Sequence, residues 1–479
     1  MSFKDKSTLD KPGQFVLDRL EIISYRQDKE ESKPKVLDIT GITLNFEIAE
    51  DIFSNNMVGS IIIYDAQDIK AMFPLTGMEK LSFRYSTPGM DGYDCTEDTG
   101  QPMQIYKVDK VKLDPQTGKQ QLYKIFFCSP EMYNNSITRV SRAFAGPVED
   151  AVDIIFRSKI YLNSKKPIFF EPTKTNSKHL IPNIRPYAAI NYLAKNAKSA
   201  KFKNAGYVFF ENQKGFHFRS LESMSTSALK TRTPAWEFTT MIVPLSNPNI
   251  PSPKNVRRTM SAVNKYQFER PVDTMANIQT GMFANRLIVH DAFNKTLKTY
   301  DYNYKEDFKK SVHTEDGGSM LIPDALFGET NKALYEHPLS KIMAVSQTAK
   351  IHDEYDSEEA SSLKGKIINN LATIRNMNLN LQVYGNTSIC AGDVIKFKNQ
   401  LISPAGQGQT PKENPYTSGN YLVLGVKHVV NIEAKISNTI IKCYKDSVSN
   451  AYPSESDPLI VGKEDLTKGD IYTADEEIQ

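Results

Sequence analysis

Long apolar runs are missing from this 479-residue chain, whose longest aliphatic stretches, such as Ile61-Ile62-Ile63, are strand-sized. A bilayer span needs ~18 to 20 consecutive apolar residues, so no membrane insertion is expected. Cysteine is scarce and scattered: Cys95, Cys128, Cys390 and Cys443 stand singly, with no CxxC pair. Zinc and thioredoxin-type chemistry therefore lack sequence support, and four reduced, mostly buried thiols are expected. An excess of either charge is missing too. Lysine and arginine number 59 against 56 acids, a net charge of +3. That is too small to mark a dedicated nucleic-acid reader.

Catalytic signatures are also absent. There is no HExxH, no GxSxG, no Walker-type glycine loop and no GxGxxG after a strand. The seven histidines, at 179, 217, 290, 313, 337, 352 and 428, never pair at ligand spacing. His217 lies between Phe216 and Phe218 on a short strand, so it should point away from both, as a surface or rim histidine. Gly406 and Gly408 read as a turn in a Pro-rich loop. Asp91, Asp94, Glu97 and Asp98 cluster near Gly92 and Gly100 without the spacing of a calcium loop. No carboxylate pair can be set at glycosidase separation from sequence alone. Trp236, the one tryptophan, follows Pro234 as a docking anchor or an ordinary packing residue. No catalytic, cofactor-binding or metal-ligating residue is assigned, no cofactor is expected, and the chain reads as a non-enzyme.

What is present is β pattern. Phe15 to Ser24, Leu37 to Ile48, Gly59 to Asp65, Glu79 to Tyr85, Gln104 to Leu113 and Gln121 to Cys128 read as strands. Asp114-Pro115-Gln116-Thr117-Gly118 is a hairpin loop by its turn chemistry. Short strands at this spacing predict an antiparallel sandwich or barrel. From Pro147 the pattern becomes helical, with Val148, Ala151, Val152, Ile155 and Phe156 on one face. A second helix starts at Pro186 and buries Ile190, Leu193, Ala194 and Ala197; two short strands, Tyr207 to Phe210 and Gly215 to Phe218, follow. Residues 221–257 are rich in Ser, Pro and Asn and read as linker with little internal structure. The remainder returns to β character, interrupted by a polar excursion from Tyr302 to Ser357 and a helix around Ala360 to Arg375. From Asp446 nine acids face two lysines, −7, leaving +10 on the rest, and this tail reads as a solvated or partner-docking segment. The first residues, Met1-Ser2-Phe3-Lys4-Asp5-Lys6, lack the apolar core of a signal peptide, so folding in a cytosol is expected.

The two β regions echo each other in order. Asn45-Phe46-Glu47 is matched by Gln267-Phe268-Glu269, and Ser60 through Asp65-Ala66 by Arg286 through Asp291-Ala292. Gly77 through Leu81 and Phe83 has a looser counterpart in Gly392 through Ile395 and Phe397. Tyr106, Val108, Val111, Lys112 and Cys128 sit 315 residues before Tyr421, Val423, Val426, Lys427 and Cys443. So long a period excludes solenoids and propellers, whose repeats are ~20 to 50 residues. It implies a duplicated unit, interrupted in its second copy between Asp291 and Gly392, and a chain that supplies two units to a ring.

Several stretches resemble a family. They are Ile39-Thr40-Gly41-Ile42 through Gly59-Ser60-Ile61-Ile62-Ile63-Tyr64-Asp65, Phe73-Pro74-Leu75-Thr76-Gly77-Met78-Glu79, and Phe126-Phe127-Cys128-Ser129-Pro130-Glu131 with Arg139 to Phe144. Most distinctive is Ile181-Pro182-Asn183-Ile184-Arg185-Pro186-Tyr187-Ala188-Ala189-Ile190, continuing to Gly206 through Glu211 and Gly215 through Phe218. The sequence here resembles the central tail-hub (baseplate hub) proteins of T4-like contractile-tailed bacteriophages, over residues 15–300 and 370–445. The family usually carries a larger aromatic where Ile184 stands.

The resemblance implies a mainly β fold with α+β insertions: two similar tail-tube-like antiparallel β-barrels per chain plus a smaller α+β domain. The implied divisions are 12–130 (first barrel), 131–257 (α+β domain and linker), 258–300 with 376–445 (second barrel), 301–375 (insertion with helix) and 446–479 (acidic tail). It further implies a homotrimer whose six barrels form a ring, joining a hexameric tail tube to a trimeric central spike. An axial channel would carry DNA in transit, and the tape measure and baseplate wedge proteins are further candidate partners. The expected location is the virion's tail baseplate, assembled in the host cytoplasm. The alternatives are the equivalent hub of a bacterial contractile injection system and a tail-associated cell-wall hydrolase.

Overall fold

The computed structural model describes residues 2–27, 34–66, 69, 73–99, 101–113, 121–174, 177–202, 205–225, 236–240, 253–269, 273–291, 295–315, 318–320, 326–327, 332–346, 364–400 and 413–448. Among them no helix is long and apolar enough to cross a membrane. The Asp114–Gly118 loop, the Gly406–Gly408 turn and nearly all of the acidic tail lie outside the described residues.

The first group of strands is Val16–Gln27 (β1), Thr43–Asp51 (β2), Val58–Asp65 (β3), Lys80–Ser86 (β4), Met103–Leu113 (β5) and Gln121–Cys128 (β6). Alternation buries Phe46, Ile48 and Glu50 on β2 and Ile61 and Ile63 on β3, as the period of two along a strand requires. Phe46, Phe83, Tyr85 and Phe127 pack as one aromatic cluster in that core. The expected strand from Leu37 to Ile48 is broken by a 3-10 turn at Thr40–Ile42. Two members of the acidic cluster lie on a further strand, Asp91–Cys95, antiparallel to β4. Asp94 there takes Arg84 at 2.8 Å, and Asp98 pairs with Arg19, so these carboxylates are engaged with arginines.

The α+β part comprises Glu131–Ile137 (α1), Val148–Arg157 (α2), Pro186–Asn196 (α3) and the hairpin Tyr207–Asn212 (β7) and Gly215–Ser220 (β8). Val148, Ala151, Val152, Ile155 and Phe156 of α2 and Ile190, Leu193 and Ala194 of α3 are buried together, which is the face their spacing predicts.

Further along lie Glu237–Thr239 (β9), Val263–Phe268 (β10), Ala284–Asp291 (β11), Thr296–Asn303 (β12), Ile342–Ser346 (β13), Lys364–Asn376 (α4), Asn378–Tyr384 (β14), Val394–Lys398 (β15), Gly419–Asn431 (β16) and Ile436–Tyr444 (β17). Strands of the first group lie in the order β4-β5-β6-β3-β2, and those of the second in the order β15-β16-β17-β14-β10. Chain order maps one onto the other strand for strand. The linker reading of 221–257 is corrected at β9, which pairs in parallel with β15 and seats Phe238 in the second core.

The echoes fare unequally. The loose one holds along the strands, though its two glycines stand one residue out of step: Leu81 pairs with Met103 as Ile395 pairs with Tyr421. Ile105 N donates to Glu79 O at 2.9 Å and Val423 N to Asp393 O at 2.8 Å. The 315-residue echo finds the right hairpins in a shifted register. A bulge follows Ile105 on β5 and Val423 on β16, and the pairs Ile105–Phe127 and Val108–Ile125 match Val423–Cys443 and Val426–Ile441. Tyr421, fully buried, is thus the counterpart of Met103; Tyr106 is 41% exposed. The Arg286–Asp291 echo fails, because β11 lies in a separate three-stranded sheet with β12 and β13. The place of β3 is filled by β14, so the second group is interrupted between Phe268 and Asn378.

Among the described residues no closed barrel is seen. Both groups belong to one continuous 15-stranded sheet, joined where β2 runs antiparallel to β16. Among the described residues that sheet stays open, since β5 and β10 each keep an edge with no strand laid along most of it.

Candidate functional site

The residues with the most demanding environments gather where the two strand groups and the α+β part meet. Along β2 the face that buries Phe46 and Ile48 next presents Glu50, and along β16 the face of Val426 and Val430 presents His428. Both land in the joint. The His428 ring stacks edge-on against Tyr85 and Tyr93 of the first group at 5.7 and 5.5 Å. Its Nδ1 pairs with Thr439 Oγ1 at 3.0 Å, and burial depresses its pKa to about 3. Neutral at ordinary pH, it serves as an aromatic plug.

Glu50 is a three-way clasp. Its carboxylate accepts from Tyr93 Oη at 2.8 Å, from the Gln213 backbone N–H in the β7–β8 turn at 2.5 Å, and from the Ala391 N–H before β15 at 3.0 Å. Desolvation raises its pKa to about 7 against the pull of those donors. Beside it Thr87 and Thr387 bond reciprocally, each backbone N–H to the other's hydroxyl, at 2.9 and 3.2 Å. Tyr85 Oη meets Ser437 Oγ at 2.8 Å.

A second buried cluster fixes the α+β part to the first group. Lys166 Nζ donates to Glu211 at 2.6 Å and Glu131 at 3.0 Å, with all three side chains buried. Glu211 also accepts from the Met57 N–H at 3.0 Å and from Ser129. The two carboxylates hold the lysine charged despite its burial. Such a cluster carries a large desolvation cost, repaid only while every partner is present.

Residues singled out in the sequence land elsewhere. His217 does point away from Phe216 and Phe218, but it is buried rather than on a rim, stacked between Phe169 and Phe210 at 4.9 and 5.0 Å. The strand Ile168–Phe170, paired in parallel with β8, supplies that cover. It lines a cleft of about 680 Å³ with Lys201, Lys214 and Arg219. Trp236 packs on Phe238 and under Arg257, an ordinary packing role. The four cysteines are buried and unpaired, and burial pushes Cys95 up to about 11 and Cys128 to about 12. Among the described residues no group of His, Cys, Asp and Glu could hold a metal ion. The arrangement joins the two strand groups and the α+β part through buried hydrogen bonds and ion pairs.

Glu50, His428, Glu211 and Lys166 were not picked out from the sequence. For the first two a signal existed, since strand alternation puts each in phase with buried apolar neighbours.

No protein-family model matches the sequence, and no curated protein matches it either. Solved structures do match in fold. A tail protein from Neisseria meningitidis aligns at 9% identity and TM-score 0.50, over 92% of this chain and all of that one. The 43 kDa tail protein of a Shewanella oneidensis prophage aligns at 8% identity and TM-score 0.48, over 91% and 99%. An Escherichia coli component of the type VI secretion system, described as similar to T4 bacteriophage tail proteins, aligns at 9% identity and TM-score 0.39, over 92% and 79%. The fold is similar to that of the Neisseria meningitidis tail protein.

Proposed function

We propose that this chain is a structural hub of a contractile phage tail, a trimeric ring that joins a sixfold tail tube to a threefold central spike. The observation that carries the reading is the duplicated strand order within one continuous sheet. Two like units per chain give three chains six quasi-equivalent positions on one face and threefold symmetry on the other. The Glu50 clasp and the His428 plug support the same reading, because a symmetry adaptor must hold its two units at a fixed angle. Fold likeness to the Neisseria meningitidis tail protein supports the tail setting. The axial opening would pass DNA without binding it. The hub is non-enzymatic, so a peptidoglycan zymogram should show no clearing.

Light scattering after size exclusion tests the reading. The expected species has three times the 54.1 kDa of one chain, and images of that peak should show a central hole. A stable dimer overturns it, because two chains of two units cannot match a sixfold tube.

A further inference from the structure

The polar excursion that interrupts the second strand group meets the start of the acidic tail at one histidine. His313 follows the helix Tyr304–Phe308, and its ring lies flat on Phe308 with centroids 3.7 Å apart. Nε2 reaches the Phe308 carbonyl oxygen at 2.7 Å, and Nδ1 reaches Asp446 Oδ2 at 2.9 Å. A carbonyl only accepts, so Nε2 carries a hydrogen. On its other oxygen Asp446 accepts from the Thr314 N–H at 2.9 Å and hydroxyl at 2.8 Å, donors that favour the ionised carboxylate. Nδ1 therefore donates as well, and an imidazole with two N–H groups is the cation. The contact is extended by the Glu315 N–H, which donates to Ser447 Oγ at 3.1 Å, and by antiparallel pairing of Ser319–Met320 with Ser447–Val448.

The surrounding charges agree. Glu222 from the segment after β8, Tyr304 and Asp307 from the helix, and Tyr444 from β17 line one cavity of about 40 Å³ with His313 and Asp446. Lys366 of α4 reaches Glu222 at 3.0 Å and Asp307 at 3.6 Å. Next to Asp446 in the chain, Lys445 donates to the Ser418 carbonyl at 2.9 Å, and Glu315 accepts from Asn420. With His313 neutral, Glu222, Asp307 and Asp446 would share Lys366. Burial pulls the His313 pKa down, but Asp446 and the Phe308 carbonyl outweigh it and hold it above the ordinary 6.5.

We propose that His313 is a proton-operated latch: as the imidazolium it clasps Asp446–Val448, where the acidic tail begins, to Thr314, Glu315 and Ser319–Met320 of the inserted segment, and loss of its proton to solvent releases them. Deprotonation removes one of the two N–H donors, so either the Phe308 carbonyl or the Asp446 carboxylate then faces a lone pair. A histidine whose pKa folding has raised contributes in full below its ordinary pKa, and the contribution is lost as pH rises through the folded value. The latch is closed in acid and opens on the alkaline side. It needs a single chain and stands apart from the ring reading.

Histidine side-chain NMR and hydrogen exchange on the full chain test it. The His313 ring, assigned by its loss in His313→Gln, should carry hydrogen on both nitrogens at neutral pH and titrate above 6.5. Asp446→Asn should lower that titration. In the unsubstituted protein, amide protection at Thr314, Glu315, Ser319–Met320 and Ser447–Val448 should fall as His313 titrates, after correction for the intrinsic pH dependence of exchange. The fall should be about tenfold for each unit by which the titration exceeds the ordinary value. His313→Gln should abolish this step while the β2–β16 amides keep their own profile, and Glu222→Gln, which removes the other group titrating in the cavity, should retain it. A ring that is neutral at pH 7, or protection that stays flat while the ring titrates, overturns the latch.

Discussion

Lys166 carries one positive charge between two carboxylates in a place water does not reach. Replacing it with methionine keeps the volume and strands Glu131 and Glu211 together. Breaking a buried ion pair from one side costs about 3–5 kcal/mol, and urea unfolding of Lys166→Met should show a loss of that size. Glu50 makes a different prediction. Its folded pKa, about 7, lies above the ordinary 4.5, so its contribution to stability is complete below pH 4.5. That contribution is lost as pH rises through 7. A raise of this size is on the order of 3 kcal/mol across the window. Glu222, also raised to about 7 by burial beside Lys366, falls in the same range. Glu50→Gln should therefore flatten, without abolishing, the decline in urea midpoint between pH 5 and pH 8. An unchanged slope would remove Glu50 from the account. Both positions show how far a single sequence reads at this scale. Alternation along Phe46, Ile48 and Glu50 marks a buried acid, but the donors that meet it come from residues 93, 213 and 391, which no local pattern connects.

Between elements, the two strand groups pack similar ladders with different side chains. Gly59 faces Phe127 across β3 and β6, and Leu379 faces Cys443 at the matching place across β14 and β17. The large residue has changed strands. A Cβ on Gly59 would lie 2.1 Å from the Phe127 ring and 2.4 Å from the Glu47 carbonyl oxygen. Gly59→Ala should thus cost about 1–3 kcal/mol as overpacking, measured by thermal or urea unfolding. Gly59→Leu combined with Phe127→Cys should cost less than the sum of the two, with a coupling of about 0.5–3 kcal/mol. Strict additivity would mean that the contact does not limit the site. Elements themselves were largely legible: strands β3 to β6, helices α2 and α3 and the β7–β8 hairpin fall where the periodicities put them. Pairing was less so. The Arg286–Asp291 strand has the composition of β3 because buried strands share a small alphabet, and composition does not say which neighbour a strand chooses.

At the scale of the molecule, the two strand groups share a sheet and one apolar cluster holds Ile52 with Leu422 and Leu424, so a single cooperative unfolding is expected. The native cysteines report on each: Cys95 sits in the first core and Cys443 in the second. Thiol labelling across a urea series should expose both at one midpoint, with Trp236 fluorescence following the same curve. Two separated midpoints would show that the joint around Glu50 and His428 does not couple the groups. The two barrels that the resemblance implied are not seen closed among the described residues, where both strand groups run into one sheet. Among the described residues β2 finds β16 along its outer edge, whereas β10 has only β14 as a strand neighbour and β5 meets β4 only at Met103 and Gln104 on the edge away from β6.

Much was determined by the sequence alone: the β class, the α+β insertion, the absence of catalytic motifs and the existence of a duplication. These are properties of local periodicity and composition, which each segment carries wherever it ends up. Only the tertiary structure decided which strands correspond, where the bulges set the register, and that the two groups continue into each other across β2 and β16. Those outcomes depend on edges and buried charges meeting across more than 300 residues of chain, as Glu50 meets Ala391. A meeting at that distance is fixed by packing and desolvation in the folded whole.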